Sequence, residues 1–320
     1  MSTCLYFVVP CYNEEEVFPE TLRRLTAKLD ALLADGRAGE GSRVLFVNDG
    51  SRDRTWELIE AASAADPRIQ GLKLSRNCGH QRALLAGLHY AEKRCDCAIS
   101  MDADLQDDID AADQFLAAFE QGFEIVYGVR SSRRTDSVFK RGTAQGFYKF
   151  MTAMGADVVD NHADYRLMSR RALEALSEFR EVNLFLRGVV PLIGFPSTSV
   201  LYERHERFAG ESKYPLRKMI AFAFEGITSF SVKPLQIISW LGIAVSSLSV
   251  VALLYALITK ILGVNVSGWT ATVGSIWLLG GIQLITISVL GSYIGKIYQE
   301  VKARPRYFIE KIAGEDDPQT

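Results

Sequence analysis

CAISMDADLQ, residues 97–106, is an apolar, β-rich run that ends in two carboxylates and an amide. On an extended backbone side chains alternate, so Asp102, Asp104 and Gln106 point to the same side. Mg²⁺ and Mn²⁺ prefer hard oxygen ligands, and Mg²⁺ commonly binds one or two carboxylates together with phosphates. The segment therefore predicts a divalent-cation site, with an acidic turn that caps the following helix as the alternative.

The first 130 residues alternate between apolar, β-rich runs and helical segments. We predict strands at Leu5–Pro10, Val44–Asn48, Ile69–Leu74, Cys97–Met101 and Glu124–Val129, with helices at Glu14–Leu33, from about Asp53, at Gln81–Lys93 and at Ile109–Gln121. This alternation is typical of an α/β fold with a mostly parallel, Rossmann-like sheet and right-handed crossovers.

Polar side chains follow four of the predicted strands. They lie in Pro10–Glu14, Asn48–Asp53, Ser75–Asn77 and Asp102–Gln106. Each segment alone is typical of an ordinary turn or helix start. Because ligands of parallel sheets bind beyond the carboxyl ends of the strands, the four segments together predict a crevice the size of a nucleotide.

The C-terminal third carries two long uncharged windows. Pro234–Thr259 has 26 residues without a formal charge, and Ile261–Gly295 has 35. A membrane-spanning helix needs about 20 apolar residues. The windows predict a transmembrane hairpin with helices at about 235–259 and 270–294, and a pair of buried core helices is the alternative.

Basic residues flank the two windows and are nearly absent between them, where Lys260 stands alone. The positive-inside rule then places both termini and the N-terminal domain in the cytoplasm, with the protein in the inner (plasma) membrane as a multi-pass protein. We predict a catalytic domain at 1–213, interfacial helices at 214–233, the hairpin at 234–295 and a cytoplasmic tail at 296–320.

Charge, cysteine and histidine content restrict the possible partners. The formal net charge is −2, which gives no reason to expect electrostatic binding of nucleic acid. The five cysteines are an odd number, and we interpret them as reduced thiols. The four scattered histidines are interpreted as surface or packing residues: His80, His89, His162 and His205.

Three of the strand-end motifs match a known family: VPCYNE (9–14), VNDGSRDRT (47–55) and DADLQ (102–106). Here the chain resembles family 2 glycosyltransferases with the GT-A fold. Further matches resemble the polyprenyl-phosphate glycosyltransferases, a group that includes dolichyl-phosphate mannose synthases and bacterial undecaprenyl-phosphate glucosyl- and aminoarabinosyl-transferases. These matches are NCGHQ (77–81), ADYRLM (163–168), RFAGESKY (207–214) and GSYIGKIY (291–298). Asn48 departs from the pattern, since many members carry aspartate there, whereas the family's key acid maps on Asp49.

The resemblance implies a role for each matching residue. The nucleotide would be held by Pro10, Tyr12, Glu14, Asp49 and Asp102. The cation, Mg²⁺ or Mn²⁺, would be bound by Asp102, Asp104 and Gln106. The acceptor phosphate and the donor phosphates would be met by Arg130, Arg141 (with adjacent Lys140 as its alternative), Arg207, Ser212 and Lys213.

Asp164 is predicted, together with Asp104, as a catalytic residue. The hypothesis is that Asp164 faces the sugar and either orients the acceptor or acts as a base. The alternative is a strand-edge pair in which Asp164 forms an internal salt bridge with Arg166.

The implied reaction transfers a sugar from a nucleotide sugar to a polyprenyl phosphate such as undecaprenyl phosphate, with inversion to a β-linked product for cell-envelope glycans. The hairpin and the Arg304–Phe308 tail favour UDP-glucose or a related UDP-sugar, and GDP-mannose is the alternative. Relatives imply a homo-oligomer in the lipid bilayer. The competing hypotheses are a processive polysaccharide synthase and an inactive membrane scaffold.

Overall fold

The computed structural model describes residues 2–130, 162–182, 185–203, 233–262 and 268–314. These residues fall into two compact units, one with all eight described strands and one with the two long C-terminal helices. In chain order the first unit contains β1 (Leu5–Cys11), α1 (Phe18–Ala34), β2 (Arg43–Asn48), α2 (Thr55–Ala65), β3 (Ile69–Leu74), α3 (His80–Ala91), β4 (Cys97–Ser100), α4 (Ala111–Glu120), β5 (Ile125–Arg130), β6 (His162–Ser169), α5 (Arg170–Ser177), α6 (Leu186–Leu192) and β7 (Ser197–Tyr202). The second unit contains α7 (Lys233–Ile261) and α8 (Trp269–Lys302), after which β8 (Ile309–Ala313) belongs again to the first.

The strands form one sheet in the order β7-β5-β6-β4-β1-β2-β3-β8. Six strands run in one direction, and β6 and β8 run against them. The predicted mostly parallel α/β sheet is therefore confirmed. All seven residues of β1 are buried, as expected of a strand covered on both faces. Helix α3 packs closely on the sheet because Gly87 leaves room for Val8 and Val47, which a β-carbon there would approach to 2.4 and 2.7 Å.

The antiparallel strand β6 lies between β4 and β5, inside the sheet. Its register pairs Ser100 with Arg166 and Cys97 with Ser169. Continuing that register by two residues sets Asp164 opposite Asp102. Because β6 runs in reverse, its first residues reach the edge at which the parallel strands end. The sequence did not predict this strand.

The C-terminal strand β8 covers the outer edge of β3. Its main chain pairs antiparallel with β3, and the amide of Ser75 donates to the carbonyl of Phe308 at 3.0 Å. Lys73 and Glu310 form an ion pair of 2.9 Å across the two strands. The segment from 296 onward, predicted only as a tail, thus contributes a strand to the sheet.

Helices α7 and α8 contain the two predicted spans. Stretches of each are long and apolar enough to cross a membrane, Lys233–Val251 and Gly274–Lys302, and none of the apolar windows is buried. Hydroxyl groups on both helices donate to the carbonyl four residues earlier, which satisfies them without water. These hydroxyls belong to Ser239, Ser249, Thr259, Thr272, Thr286 and Ser292. The predicted interfacial helices at 214–233 lie, apart from Lys233, outside the described residues.

We expect His89 to make folding stability depend on pH. Its Nδ1 lies 2.9 Å from the hydroxyl of Tyr307, and burial, with Arg306 as a second cause, lowers the pKa of His89 to about 4. The pKa of a histidine in the unfolded chain is near 6.5. As the pH falls from about 6.5 to 4, the unfolded chain therefore binds a proton at His89 that the folded chain does not bind. Up to about 3 kcal/mol of stability is lost in that window.

The measurement is thermal unfolding of the detergent-solubilised protein at several pH values, with His89→Gln as the comparison. The wild type should lose melting temperature more steeply than His89→Gln between pH 6.5 and 4.5. Equal slopes would contradict this role of His89.

Candidate active site

The loops after β1 and β2 are tied together at the carboxyl edge of the sheet. The amide of Asn13 donates to Ser51 Oγ at 3.0 Å, and the amide of Arg52 donates to Asn13 Oδ1 at 2.9 Å. The amide of Glu14 donates to Thr55 Oγ1 at 2.9 Å. Among the residues predicted to hold the nucleotide, Pro10 is buried in β1, Glu14 is partly buried and Tyr12 is exposed beyond the strand.

Asp49 is a buried carboxylate that shapes the next loop. Its two oxygens accept from the amides of Cys78 and Gly79 at 2.7 and 2.9 Å. Burial raises the pKa of Asp49, although these two hydrogen bonds oppose the change. Asp49 therefore holds the segment that leads from β3 into α3 and sets the position of His80.

The DADLQ segment forms a turn. Strand β4 ends at Ser100, and Leu105 has a positive φ of 56°, so the extended backbone that we predicted through Gln106 is wrong. The amide of Gln106 donates to Asp104 Oδ1 at 3.2 Å, which closes a local Asx turn. The three predicted ligands are nevertheless partly exposed, while Ala103 and Leu105 are buried. Asp110, one of the residues that the capping alternative invokes, occupies the capping position of α4, but its side chain makes no capping hydrogen bond.

His80 lies between two carboxylates. Its Nε2 is 3.5 Å from Asp102 Oδ1 and 3.4 Å from Asp164 Oδ2. Burial lowers the pKa of His80, but its hydrogen bond with Asp164 and the charge of Asp102 outweigh it and raise that pKa. His80, the first residue of α3, thus connects the segment after β4 with the beginning of β6.

Asp164 is buried and surrounded by donors. Arg166 Nη2 donates to Oδ1 at 2.8 Å, and Arg187 donates from Nε to Oδ1 at 3.1 Å and from Nη2 to Oδ2 at 3.0 Å. Burial would raise the pKa of Asp164, but His80, Arg187 and Arg166 outweigh it and hold that pKa well below its usual range. The internal salt bridge with Arg166 exists, but it lies in an inner strand and not at the edge of the sheet.

Arg130 is at the end of β5, on the same edge. Its Nε lies 3.3 Å from the hydroxyl of Tyr202, and its Nη2 lies 3.8 Å from the buried carboxylate of Asp107. That carboxylate also accepts from Tyr202 at 2.6 Å. The remaining predicted phosphate ligands lie outside the described residues: Arg141, Arg207, Ser212 and Lys213.

The residues at DADLQ fit a cation in part. Asp102 Oδ1 is buried and receives no hydrogen bond from the described residues. Burial raises the pKa of Asp102 to about 6, and the charge of His80 opposes that rise. A buried carboxylate oxygen that accepts no hydrogen bond is suited to a cation. Within the described ranges, however, no three acidic, histidine or cysteine side chains converge as metal ligands. A cation here would need the amide of Gln106 or oxygens of a ligand to complete its shell.

His80, which we interpreted as a surface or packing residue, and Arg187 are site residues that the sequence analysis missed, and it named Arg166 only in the alternative for Asp164. His80 follows the end of β3 in NCGHQ, so the rule that placed the other strand-end residues could have found it. Arg166 adjoins Asp164 in a motif already noted. Nothing in the sequence distinguished Arg187, which reaches Asp164 from α6.

Comparison with known proteins identifies the family. The model of glycosyl transferase family 2 matches residues 6–177, more than half of the chain. The chain belongs to glycosyl transferase family 2. Its fold is the GT-A fold of that family, and the protein is a glycosyltransferase.

Three named relatives match this chain over almost their full lengths. "Uncharacterized glycosyltransferase YkoT" of Bacillus subtilis (strain 168) is 55% identical over 96% of this chain and 91% of its own. The SfII prophage-derived bactoprenol glucosyl transferase of Shigella flexneri is 40% identical over 95% and 96%. The prophage bactoprenol glucosyl transferase homolog of Escherichia coli (strain K12) is 39% identical over 95% and 98%.

The close packing of the loops at Gly50 gives a stability prediction. Gly50 has a φ of 63°, and a β-carbon there would lie 2.5 Å from the backbone of Arg76 and Asn77. Gly36 has a similar φ of 68° with nothing within 4 Å, so it is the matched control. Gly36→Ala should cost about 1 kcal/mol for the left-handed conformation alone. Gly50→Ala should cost roughly 2–4 kcal/mol, because it adds a steric clash.

Chemical or thermal unfolding of the two variants measures the difference. The prediction fails if Gly50→Ala and Gly36→Ala are equally stable.

Proposed function

We propose that the protein transfers a sugar from a nucleotide sugar to a membrane polyprenyl phosphate, with inversion and with a divalent cation. The observation that carries the proposal is the similarity to bactoprenol glucosyl transferases, with sequence identity of about 40% over nearly the whole chain. The matched length includes the two apolar helices. The donor is a UDP-sugar, UDP-glucose foremost, and GDP-mannose is the second candidate. The product is a β-linked polyprenyl-phosphate sugar used in cell-envelope glycans.

On the donor side, Asp102, Asp104 and Gln106 hold Mg²⁺ or Mn²⁺. When bound, the ion neutralises the charge that develops on the leaving nucleoside diphosphate. The buried oxygen of Asp102, which accepts no hydrogen bond from the described residues, supports this assignment. Pro10, Tyr12, Glu14 and Asp49 form the nucleotide side of the pocket, where the exposed ring of Tyr12 is available to a base and Asp49 keeps the adjoining loop in place.

On the acceptor side, the nucleophile is an anion. The second pKa of a phosphate monoester is about 6, so at neutral pH its oxygen attacks without losing a proton to the protein. The harder task is to bring two anions together. Arginine is suited to this task because its planar, permanently charged guanidinium can bond two phosphate oxygens at once. Arg130 and Arg141 take this role, with Arg207, Ser212 and Lys213 as further ligands of the phosphates.

The membrane helices bring the enzyme to its acceptor. Each CH₂ taken from the bilayer into water costs about 0.8 kcal/mol, so a long polyprenyl chain stays in the membrane. Helices α7 and α8 span the inner membrane, with the GT-A domain and both termini in the cytoplasm and the chains associated as a homo-oligomer. A processive synthase is less well supported, because only two candidate spans are found in the described residues.

A transfer assay tests the proposal directly. Purified protein is incubated with undecaprenyl phosphate, Mg²⁺ or Mn²⁺, and one nucleotide sugar at a time, and the product lipid is identified by mass. We expect glucosyl transfer from UDP-glucose, and transfer from GDP-mannose alone would select the second candidate. No transfer from any donor would favour the inactive scaffold.

Metal dependence is tested by two changes in the same assay. EDTA and Asp104→Ala should each reduce turnover on the order of 100-fold, since a ligated cation supplies several kcal/mol to the leaving group. Asp110→Ala is the matched control, because this carboxylate lies in the same acidic segment but pairs with Lys28 at 2.8 Å. Undiminished turnover in EDTA would rule out the metal site.

A further inference from the structure

The carboxylate of Asp164 has no oxygen left for a substrate proton. Oδ1 accepts from both arginines and Oδ2 accepts from Arg187, with His80 Nε2 3.4 Å from Oδ2. The side chain is 7% exposed. A general base needs an open lone pair within hydrogen-bond distance of the proton that it removes. The role that these contacts support for Asp164 is to fix the positions of Arg166, Arg187 and His80.

The two arginines around Asp164 differ in access. The side chain of Arg166 is 2% exposed, so the charge of Asp164 serves to neutralise it inside the protein. The side chain of Arg187 is 33% exposed and bonds the same carboxylate through two nitrogens. Of the two guanidinium groups that bond Asp164, that of Arg187 is therefore the one accessible to a ligand.

Arg187 is linked to the predicted cation site through Asp164 and His80. Its Nη2 bonds the same Oδ2 that His80 approaches, and His80 in turn lies 3.5 Å from Asp102 Oδ1, an oxygen that accepts no hydrogen bond from the described residues. The planar two-point contact with Asp164 fixes the orientation of the guanidinium before a ligand arrives. A fixed positive group in this cluster is suited to an anionic oxygen.

We infer that Arg187 binds a phosphate oxygen of the substrate and that Asp164 acts as the positioning residue for Arg187. The inference rests on the proposed function, which supplies the phosphate ligands. The phosphate belongs either to the nucleoside diphosphate or to the lipid acceptor. Both have the same chemistry, and binding measurements separate them.

The first experiment measures binding without turnover. Dissociation constants of UDP with Mg²⁺, and of undecaprenyl phosphate in detergent micelles, are determined for wild type, Arg187→Lys and Arg187→Gln. Arg187→Gln should weaken one of the two ligands at least tenfold, and that ligand identifies the phosphate. Arg187→Lys keeps the positive charge but loses the planar guanidinium, so its dissociation constant for that ligand should lie between those of the wild type and Arg187→Gln.

Arg170→Gln is the matched control. Arg170 also pairs with a carboxylate next to β4, Asp96, at 3.1 Å, but at the opposite end of β6. It should bind both ligands as the wild type does. If Arg187→Gln leaves both dissociation constants within twofold of the wild type, the inference is overturned while the proposed function stands. If the wild type binds neither ligand, both are overturned.

The second experiment separates positioning from proton transfer. Asp164→Asn should lower kcat/KM at least tenfold alone, but less than threefold when Arg187→Gln is already present, because both act through one guanidinium. Multiplicative effects would show a direct role for Asp164 and overturn the positioning role. If Asp164→Asn does not fold, Arg166→Gln is added to all four members of the cycle to remove the unpaired buried charge.

Discussion

A carboxylate buried at the ligand-binding edge of a sheet has to be paired, and the pairing of Asp164 organises this site. Asp164 reaches that edge because β6 runs against its neighbours β4 and β5. Isolated, such a charge would cost several kcal/mol, and here it is met by donors from three elements: Arg166 of β6, Arg187 of α6 and His80 of α3. One buried charge thus sets the positions of side chains that lie far apart in sequence.

The acidic residues at the ligand-binding edge of the sheet fall into two groups that differ in exposure. Asp49 and Asp164 are buried, and the described donors occupy both oxygens of each. Asp102 and Asp104 are partly exposed, and one oxygen of Asp102 accepts no hydrogen bond from the described residues. The buried pair therefore stabilises loops and neighbours, whereas a ligand can reach the other two carboxylates. Sequence motifs do not separate these two roles, because Asp49, Asp102 and Asp104 all follow predicted strands and Asp164 lies in a strand that the sequence did not predict.

The sequence predicted five of the six strands that run in one direction, all except β7, because these five are apolar, β-rich runs. Strands such as Leu5–Cys11 are continuous apolar runs between helices, and their burial on both faces is visible in composition. Strand β6 was missed because it contains Asp164 and Arg166 and is not a continuous apolar run. His80 and Arg187 were missed for another reason: their role follows from convergence on Asp164, which depends on pairings between distant segments. The Asx turn at Asp104 was missed because a positive φ at Leu105 is rare for a branched apolar residue.

The outer edge of β3 explains why the chain returns to the sheet after its two apolar helices. An uncovered edge strand offers free amide and carbonyl groups to other chains. Strand β8 occupies that edge, and its own charged side chains, Glu310 and Lys311, are paired with Lys73 and Glu60. The same segment contacts the site's supporting elements, through Phe308 to Ser75 and through Tyr307 to His89 of α3. Since α3 begins at His80, the residues that close the sheet also brace the helix that carries the central side chain of the site.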